Sequence, residues 1–182
     1  MEYVHRMQRV AWRIDQATFE QSHPGFYLVG IYPTAARMIK PRRTFRTEQA
    51  ISTDALSAAL AADPRAAGRF VFKVTKSDRN PFRDRISLGR ATNNDIVIEH
   101  PSVSKIHAHF LGDDLDGPLG PTQLRLQDSG SKNGTSINGR SVIKGPPAQV
   151  GSGDSLKFGE VHCELLDAAG LHFLIRTQLP PL

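Results

Sequence analysis

The sequence predicts an all-β protein, an antiparallel β-sandwich carrying a mixed α/β extension at its N-terminus. Two observations predict it. After Gly68, short β-type runs alternate with turn residues at roughly 8–14-residue spacing, the rhythm of a sandwich or barrel. Within them, Leu124 and Leu126 alternate with Arg125 and Gln127, as a strand with one buried face requires. Before Gly68 the pattern is mostly helical. The boundary therefore falls near residue 66, giving an extension over 1–66 and a β domain over 67–177.

The extension opens with an amphipathic helix over residues 4–19, where Val4, Met7, Val10, Ala11, Ile14 and Ala17 recur at helical spacing. His23-Pro24-Gly25 stops it. Residues 26–32 form a short β-type run ended by Pro33, and a basic segment follows with Arg37, Lys40, Arg42, Arg43 and Arg46. Thr53, a plausible N-cap residue type, opens an alanine-rich helix closed by Asp63-Pro64. The β domain then reads as strands near 69–75, 85–89, 95–99, 106–111, 122–127, 155–159, 162–166 and 171–176. Asn93-Asn94, Asn133-Gly134, Asn138-Gly139 and Gly151-Ser152-Gly153 are among the turns between them.

Composition narrows the class. In 182 residues, 39% are hydrophobic and 23% charged, which argues against a coiled coil, a collagen or a wholly disordered chain. The single cysteine, Cys163, excludes an internal disulfide framework. No apolar run reaches the roughly 18–20 residues of a membrane span, and arginines interrupt the first 16 residues where a signal peptide would be apolar. A cytoplasmic protein is expected. The net charge of +5 favours anionic partners, with +3 of it in residues 1–65 and +2 in residues 66–182. The cluster within 37–46 reads as a solvated run, or as a contact to nucleic acid or an anionic surface.

The loops between the predicted strands concentrate anion-binding groups. Arg90 follows Gly89 at a strand end and offers a planar fork of donors. Ser104 brings a hydroxyl, Lys105 and Lys132 bring charge, and Asn133 brings an amide that both donates and accepts. Asn-Gly at 133–134 and 138–139 favours tight turns with positive φ.

Taken in order, Gly89-Arg90, Ser104-Lys105-Ile106-His107, Ser131-Lys132-Asn133-Gly134-Thr135 and Asn138-Gly139 resemble the forkhead-associated (FHA) domain family. The resemblance covers about residues 69–176, and the late segments Gly153-Asp154 and Phe158-Gly159 are similar too. It implies an FHA/SMAD-like sandwich of about eleven strands that binds phosphothreonine peptides through loops at one end. On that resemblance Arg90 and Ser104 contact phosphate, Lys105 and Lys132 contact phosphate or peptide, and Asn133 pairs with the ligand main chain. Asn138 contacts peptide or holds its turn. Gly89, His107, Gly134, Thr135 and Gly139 are structural, with His107 supporting a binding loop. Lys105 stands where many members carry arginine, keeping the charge without the planar fork. Residues 112–121 make a longer hairpin tip than such domains need.

Other readings of the same residues are weaker. His107 and His109, spaced i, i+2 in the run 106–111, share a strand face, but two histidines without a third ligand make a poor metal site. Asp113, Asp114 and Asp116 lack the glycine and glutamate of an EF-hand loop. Ser104 and His107 come without a strained Gly-x-Ser-x-Gly elbow, and nothing pairs a base with an activated nucleophile. The chain is therefore expected to be non-catalytic, with no cofactor and no metal. Its expected partner is a phosphothreonine-containing protein, a Ser/Thr kinase or its substrate, with neither membrane nor nucleic acid expected. The alternatives are an FHA-like interaction scaffold that does not need phosphate, and nucleic-acid or anionic-surface binding through 37–46.

Overall fold

The computed structural model describes residues 2–31 and 69–178. Two helices come first, α1 (Glu2–Ala11) and α2 (Gln16–Ser22), followed by β1 (Phe26–Ile31). Then come β2 (Arg69–Lys73), β3 (Ile86–Gly89), β4 (Ile96–Val97), β5 (Ala108–Gly112) and β6 (Leu124–Asp128). The chain continues through β7 (Thr135–Ile137), β8 (Arg140–Ser141), β9 (Ala148–Val150), β10 (Ser155–Phe158) and β11 (Val161–Asp167), and α3 (Ala168–Gln178) follows. The basic segment 37–46 and the alanine-rich helix expected from Thr53 lie outside the described residues.

The strands form two sheets, ordered β2-β1-β11-β10-β7-β8 and β4-β3-β5-β6-β9. All pairings are antiparallel except the short parallel contact of β3 with β4. Between the sheets Leu28, Leu88, Phe110, Leu126, Phe158 and Leu165 form a core from which water is excluded. Strand β1, which the sequence reading assigned to the N-terminal extension, lies between β2 and β11.

A second core sits on the outer face of β1 and β11. There Tyr27, Val29 and Leu166 pack against Met7, Ala11 and Phe19 of the N-terminal helices and Leu171 and Ile175 of α3. The Phe19 ring lies 5.1 Å from the His172 ring, and the Tyr27 hydroxyl donates to the His23 carbonyl at 2.8 Å. This explains why residues 27–30 are all buried: one side of β1 faces the sandwich and the other faces helices, so no polar alternation is left.

Three local expectations change. The single helix over 4–19 is two, because Asp15 caps a new helix by accepting from the Thr18 N–H at 3.0 Å. The expected strand 171–176 is helical. Asp167 Oδ1 accepts from the Gly170 N–H at 2.8 Å, and Leu171, Leu174 and Ile175 then share the face turned to the second core. Short strands β7, β8 and β9 come in addition to the runs expected from periodicity. The Asn138-Gly139 turn joining β7 to β8 has φ of 50° and 77°, as its sequence predicts.

If the helical layer folds with the sandwich as one unit, Leu171→Ala should lower unfolding free energy by about 2–5 kcal/mol, a core value. Urea denaturation followed by far-UV circular dichroism measures it. A single transition shifted by that amount is the expected result.

Candidate functional site

The site begins at the end of β3. A Cβ on Gly89 would stand 2.3 Å from the Lys105 carbonyl oxygen, so only glycine allows the strand to pass this close to the 104–105 backbone. Two backbone bonds hold the approach, Arg90 N–H to the Ser104 carbonyl at 2.9 Å and Ala91 N–H to the Lys105 carbonyl at 3.1 Å. The buried Asn94 amide donates to both the Ala91 and Lys105 carbonyls at 2.7 Å. Arg90 Nε donates to the Val103 carbonyl at 3.1 Å. That bond fixes the exposed guanidinium and leaves its two Nη groups without a partner among the described residues.

His107, fully buried, connects this loop to the next. Its Nδ1 accepts from the Ser104 N–H at 3.0 Å. An accepting Nδ1 leaves the proton on Nε2, which donates to the Gly134 carbonyl at 3.1 Å. The ring also meets Phe158 edge-on at 5.8 Å between centroids. Burial holds the imidazole below its ordinary pKa, against the opposing pull of the Gly134 carbonyl and the Asp128 charge. His109 belongs elsewhere, with Nδ1 2.8 Å from Ser129 Oγ. The two rings have different partners, His107 the Ser104 and Gly134 backbone and His109 the Ser129 hydroxyl.

The loop between β6 and β7 is built on the buried carboxylate of Asp128. Its Oδ1 accepts the N–H groups of Gly130 and Ser131, both at 2.8 Å. Its Oδ2 accepts the hydroxyls of Ser131 and Thr135, both at 2.6 Å. Burial pushes this carboxyl up, but the bonds from Ser131, Thr135 and Gly130 together outweigh it and leave it below the usual value. Lys132 and Asn133 are thereby presented at the surface. The Lys132 N–H donates to Ser104 Oγ at 3.0 Å, and Asn133 Nδ2 donates to the Ser102 carbonyl at 2.8 Å. Among the described residues the Ser104 hydroxyl proton and Asn133 Oδ1 have no partner.

The structure thus connects Arg90, Ser104, Lys105, Lys132 and Asn133 through one hydrogen-bonded frame containing Gly89, His107, Gly134 and Thr135. Asn138 is engaged differently. Its Nδ2 donates to Asp154 at 2.7 Å and its Oδ1 accepts from the Ser155 N–H at 2.9 Å, so both ends of its amide hold the β9–β10 connection. Gly139 lies beside it in the β7–β8 turn. The Asp113 carboxylate likewise takes the Thr122 N–H at 3.0 Å and Thr122 hydroxyl at 2.6 Å, closing the long 112–121 tip.

Sequence reasoning missed two organisers, Asn94 and Asp95. The Asp95 side chain is fully buried and pairs with Lys76 Nζ at 3.2 Å. It also accepts from Ser77 N–H at 2.7 Å, Asn80 Nδ2 at 2.6 Å and Ser87 N–H at 2.7 Å. Burial raises its pKa, and the donors from Asn80, Ser87 and Ser77 more than reverse this. The adjacent Asn-Asp following an Asn was the available signal.

With this frame in view, comparison with known families is informative. Residues 86–159 match the FHA domain family. Structures of similar fold include the FHA domain of CT664 from Chlamydia trachomatis, 16% identical, with 79% of this chain and 98% of that one covered at a TM-score of 0.44. An FHA domain from Arabidopsis thaliana is 20% identical, with 80% and 86% covered at 0.45. Mycobacterium tuberculosis EmbR, in complex with a low-affinity phosphopeptide, is 19% identical with 46% of this chain covered at 0.39, and the match spans 20% of EmbR. A search of the curated proteins found no significant match.

The His107 bridge gives a pH signature. A folded pKa below the ordinary 6.5 or so means that the unfolded chain takes up the proton first. The stability contributed is present above about pH 6.5 and is lost as pH falls through the folded value. His107→Ala should cost about 1–3 kcal/mol at pH 7.5, the cost of leaving buried partners unpaired. The gap from wild type should narrow toward pH 5. Denaturant titrations of both proteins across that range check it, and a pH-independent gap would contradict the neutral bridge.

Proposed function

We propose that this FHA domain is a non-catalytic module that binds phosphothreonine segments of partner proteins within a Ser/Thr kinase pathway. The observation that carries the reading is the set of unpaired donors on a rigid frame. The two Arg90 Nη groups, the Ser104 hydroxyl, and the exposed Lys105 and Lys132 ammonium groups have no acidic partner among the described residues. A phosphate dianion fits such a set, because a guanidinium fork and short hydroxyl bonds recognise its geometry while the lysines supply charge. Asn133 adds an acceptor for a ligand backbone N–H. The match of residues 86–159 to the FHA domain family supports the same reading.

Two measurements test it. Isothermal titration should rank a phosphothreonine peptide above its phosphoserine counterpart by about fourfold, the worth of one buried methyl at roughly 0.8 kcal/mol. The unphosphorylated peptide should not bind measurably. Equal affinity for all three would favour a scaffold indifferent to phosphate. Arg90→Ala should weaken phosphopeptide binding at least about 30-fold, from a lost charge-assisted fork worth about 2–5 kcal/mol. Arg42→Ala removes the same charge from the basic segment and should leave affinity nearly unchanged. Matched losses with steep salt dependence would favour non-specific anion binding through 37–46.

A further inference from the structure

Two sheet edges lie open beside the candidate site. Strand β8 ends the six-stranded sheet and β9 ends the five-stranded one, and neither has a further strand partner among the described residues. Between them runs an open groove of about 660 Å³ whose apolar lining includes Ile137, Val142, Ile143, Pro146 and Pro147. Ile143 is 75% exposed, the highest value among the exposed large apolar side chains. One exposed isoleucine needs no explanation. Several apolar residues grouped on a concave surface between two free edges mark an interaction surface.

The groove adjoins the loop between β6 and β7. The Val142 N–H donates to the Thr135 carbonyl at 2.9 Å, and Thr135 directly follows Gly134, the acceptor of the His107 bond. Gln127 Nε2 donates to the Gly145 carbonyl, and Gln127 directly precedes Asp128. Residues 142–147 therefore adjoin both ends of the loop that presents Lys132 and Asn133. A ligand chain seated on that loop and continuing past it reaches the groove next. The sequence from Gly139 to Val150 contains Arg140 and Lys144 and no acid. Both cations are exposed, and neither forms an ion pair among the described residues.

We propose that the groove binds an extended, mixed apolar and acidic segment of the same phosphoprotein, flanking the phosphothreonine, so that partner choice is read there. The occupant is extended because a β edge accepts a strand through its backbone while alternate side chains enter pockets. It is apolar because the groove is, and acidic because Arg140 and Lys144 stand uncompensated beside it. This rests on the phosphopeptide reading above, and it separates the phosphate anchor from a second surface that sets specificity.

The test is isothermal titration with three phosphothreonine peptide pools of common core. The first pool is short. The second extends both flanks by about eight residues, roughly 26 Å when extended, drawn from Ile, Leu, Asp and Glu. The third has flanks of the same length made of Gly and Ser. The apolar-acidic pool should bind at least about tenfold tighter than the other two. Ile143→Asp and Arg140→Glu should each abolish that gain while leaving short-pool affinity unchanged, with thermal melts confirming the fold. A Gly/Ser pool that gains as much, or an Ile143→Asp variant that weakens all pools equally, overturns the groove assignment and leaves the phosphate reading standing. Binding indifferent to dephosphorylation of every pool overturns the phosphate reading and the shared-ligand proposal with it. Self-association in sedimentation, lost in Ile143→Asp, would show a second copy of the chain in the groove and overturn the proposal.

Discussion

A neutral imidazole that accepts at one nitrogen and donates at the other joins the two loops that carry the candidate site. His107 Nδ1 holds the Ser104 amide and Nε2 holds the Gly134 carbonyl. The first loop precedes β5 of one sheet, and the second leads into β7 of the other. Two further bonds cross between the loops, from the Lys132 N–H to Ser104 Oγ and from Asn133 Nδ2 to the Ser102 carbonyl, and the buried ring backs them from beneath. With it, the Ser104 hydroxyl and the Lys132 backbone stay in register, as their 3.0 Å bond shows. The bridge works only because the ring is buried and uncharged: a protonated ring would present a donor to the Ser104 N–H.

Charge is sorted by depth around this bridge. The carboxylates of Asp95 and Asp128 lie buried beneath the loops, satisfied by backbone N–H groups, hydroxyls and amides. The cations Arg90, Lys105 and Lys132 lie at the surface. An acid left at the surface would pair with those cations and compete with an incoming anion. Drawn inward, the same acids order the backbone that carries the cations, and burying a charge is tolerable when hydrogen bonds surround it. The loops are thus rigid in their backbones and unsatisfied at their side-chain tips, which is what a preformed anion site requires.

Much of this was legible in the sequence, unevenly. The strands from Arg69 onward alternate or run apolar between strong turn signals, and Asn138-Gly139 forms the positive-φ turn its residues demand. Arg90, Ser104, Lys132 and Asn133 stood out because charge and amide groups beside glycine turns are conspicuous. Asp95 did not, because its partners Lys76, Ser77, Asn80 and Ser87 are spread along the chain and meet only after folding. Asp128 had a local signal, the Gly130 and Ser131 donors that an aspartate turn collects, but the motif residues after it were more conspicuous and its own part in the loop shows only in the fold. The run Leu171–Arg176 fits a strand or a buried helix equally, and length and capping decide between them. Asp167 was the deciding cap.

The stretch that matches the FHA family, residues 86–159, begins with β3 and ends before β11. It contains Arg90, Ser104, Lys105, Lys132 and Asn133, the residues proposed to hold phosphate and peptide. It omits β1, β2 and β11, half the strands of the six-stranded sheet, and with them Leu28, Phe70, Cys163 and Leu165 from the main core. Cut to that window, the chain would present β10 as a raw edge and the inner face of the five-stranded sheet half uncovered, a template for pairing between molecules. The segment that carries the chemistry and the segment that can stand alone in water are therefore different lengths of the same chain. The longer one includes helices and three strands that carry none of the candidate site's residues.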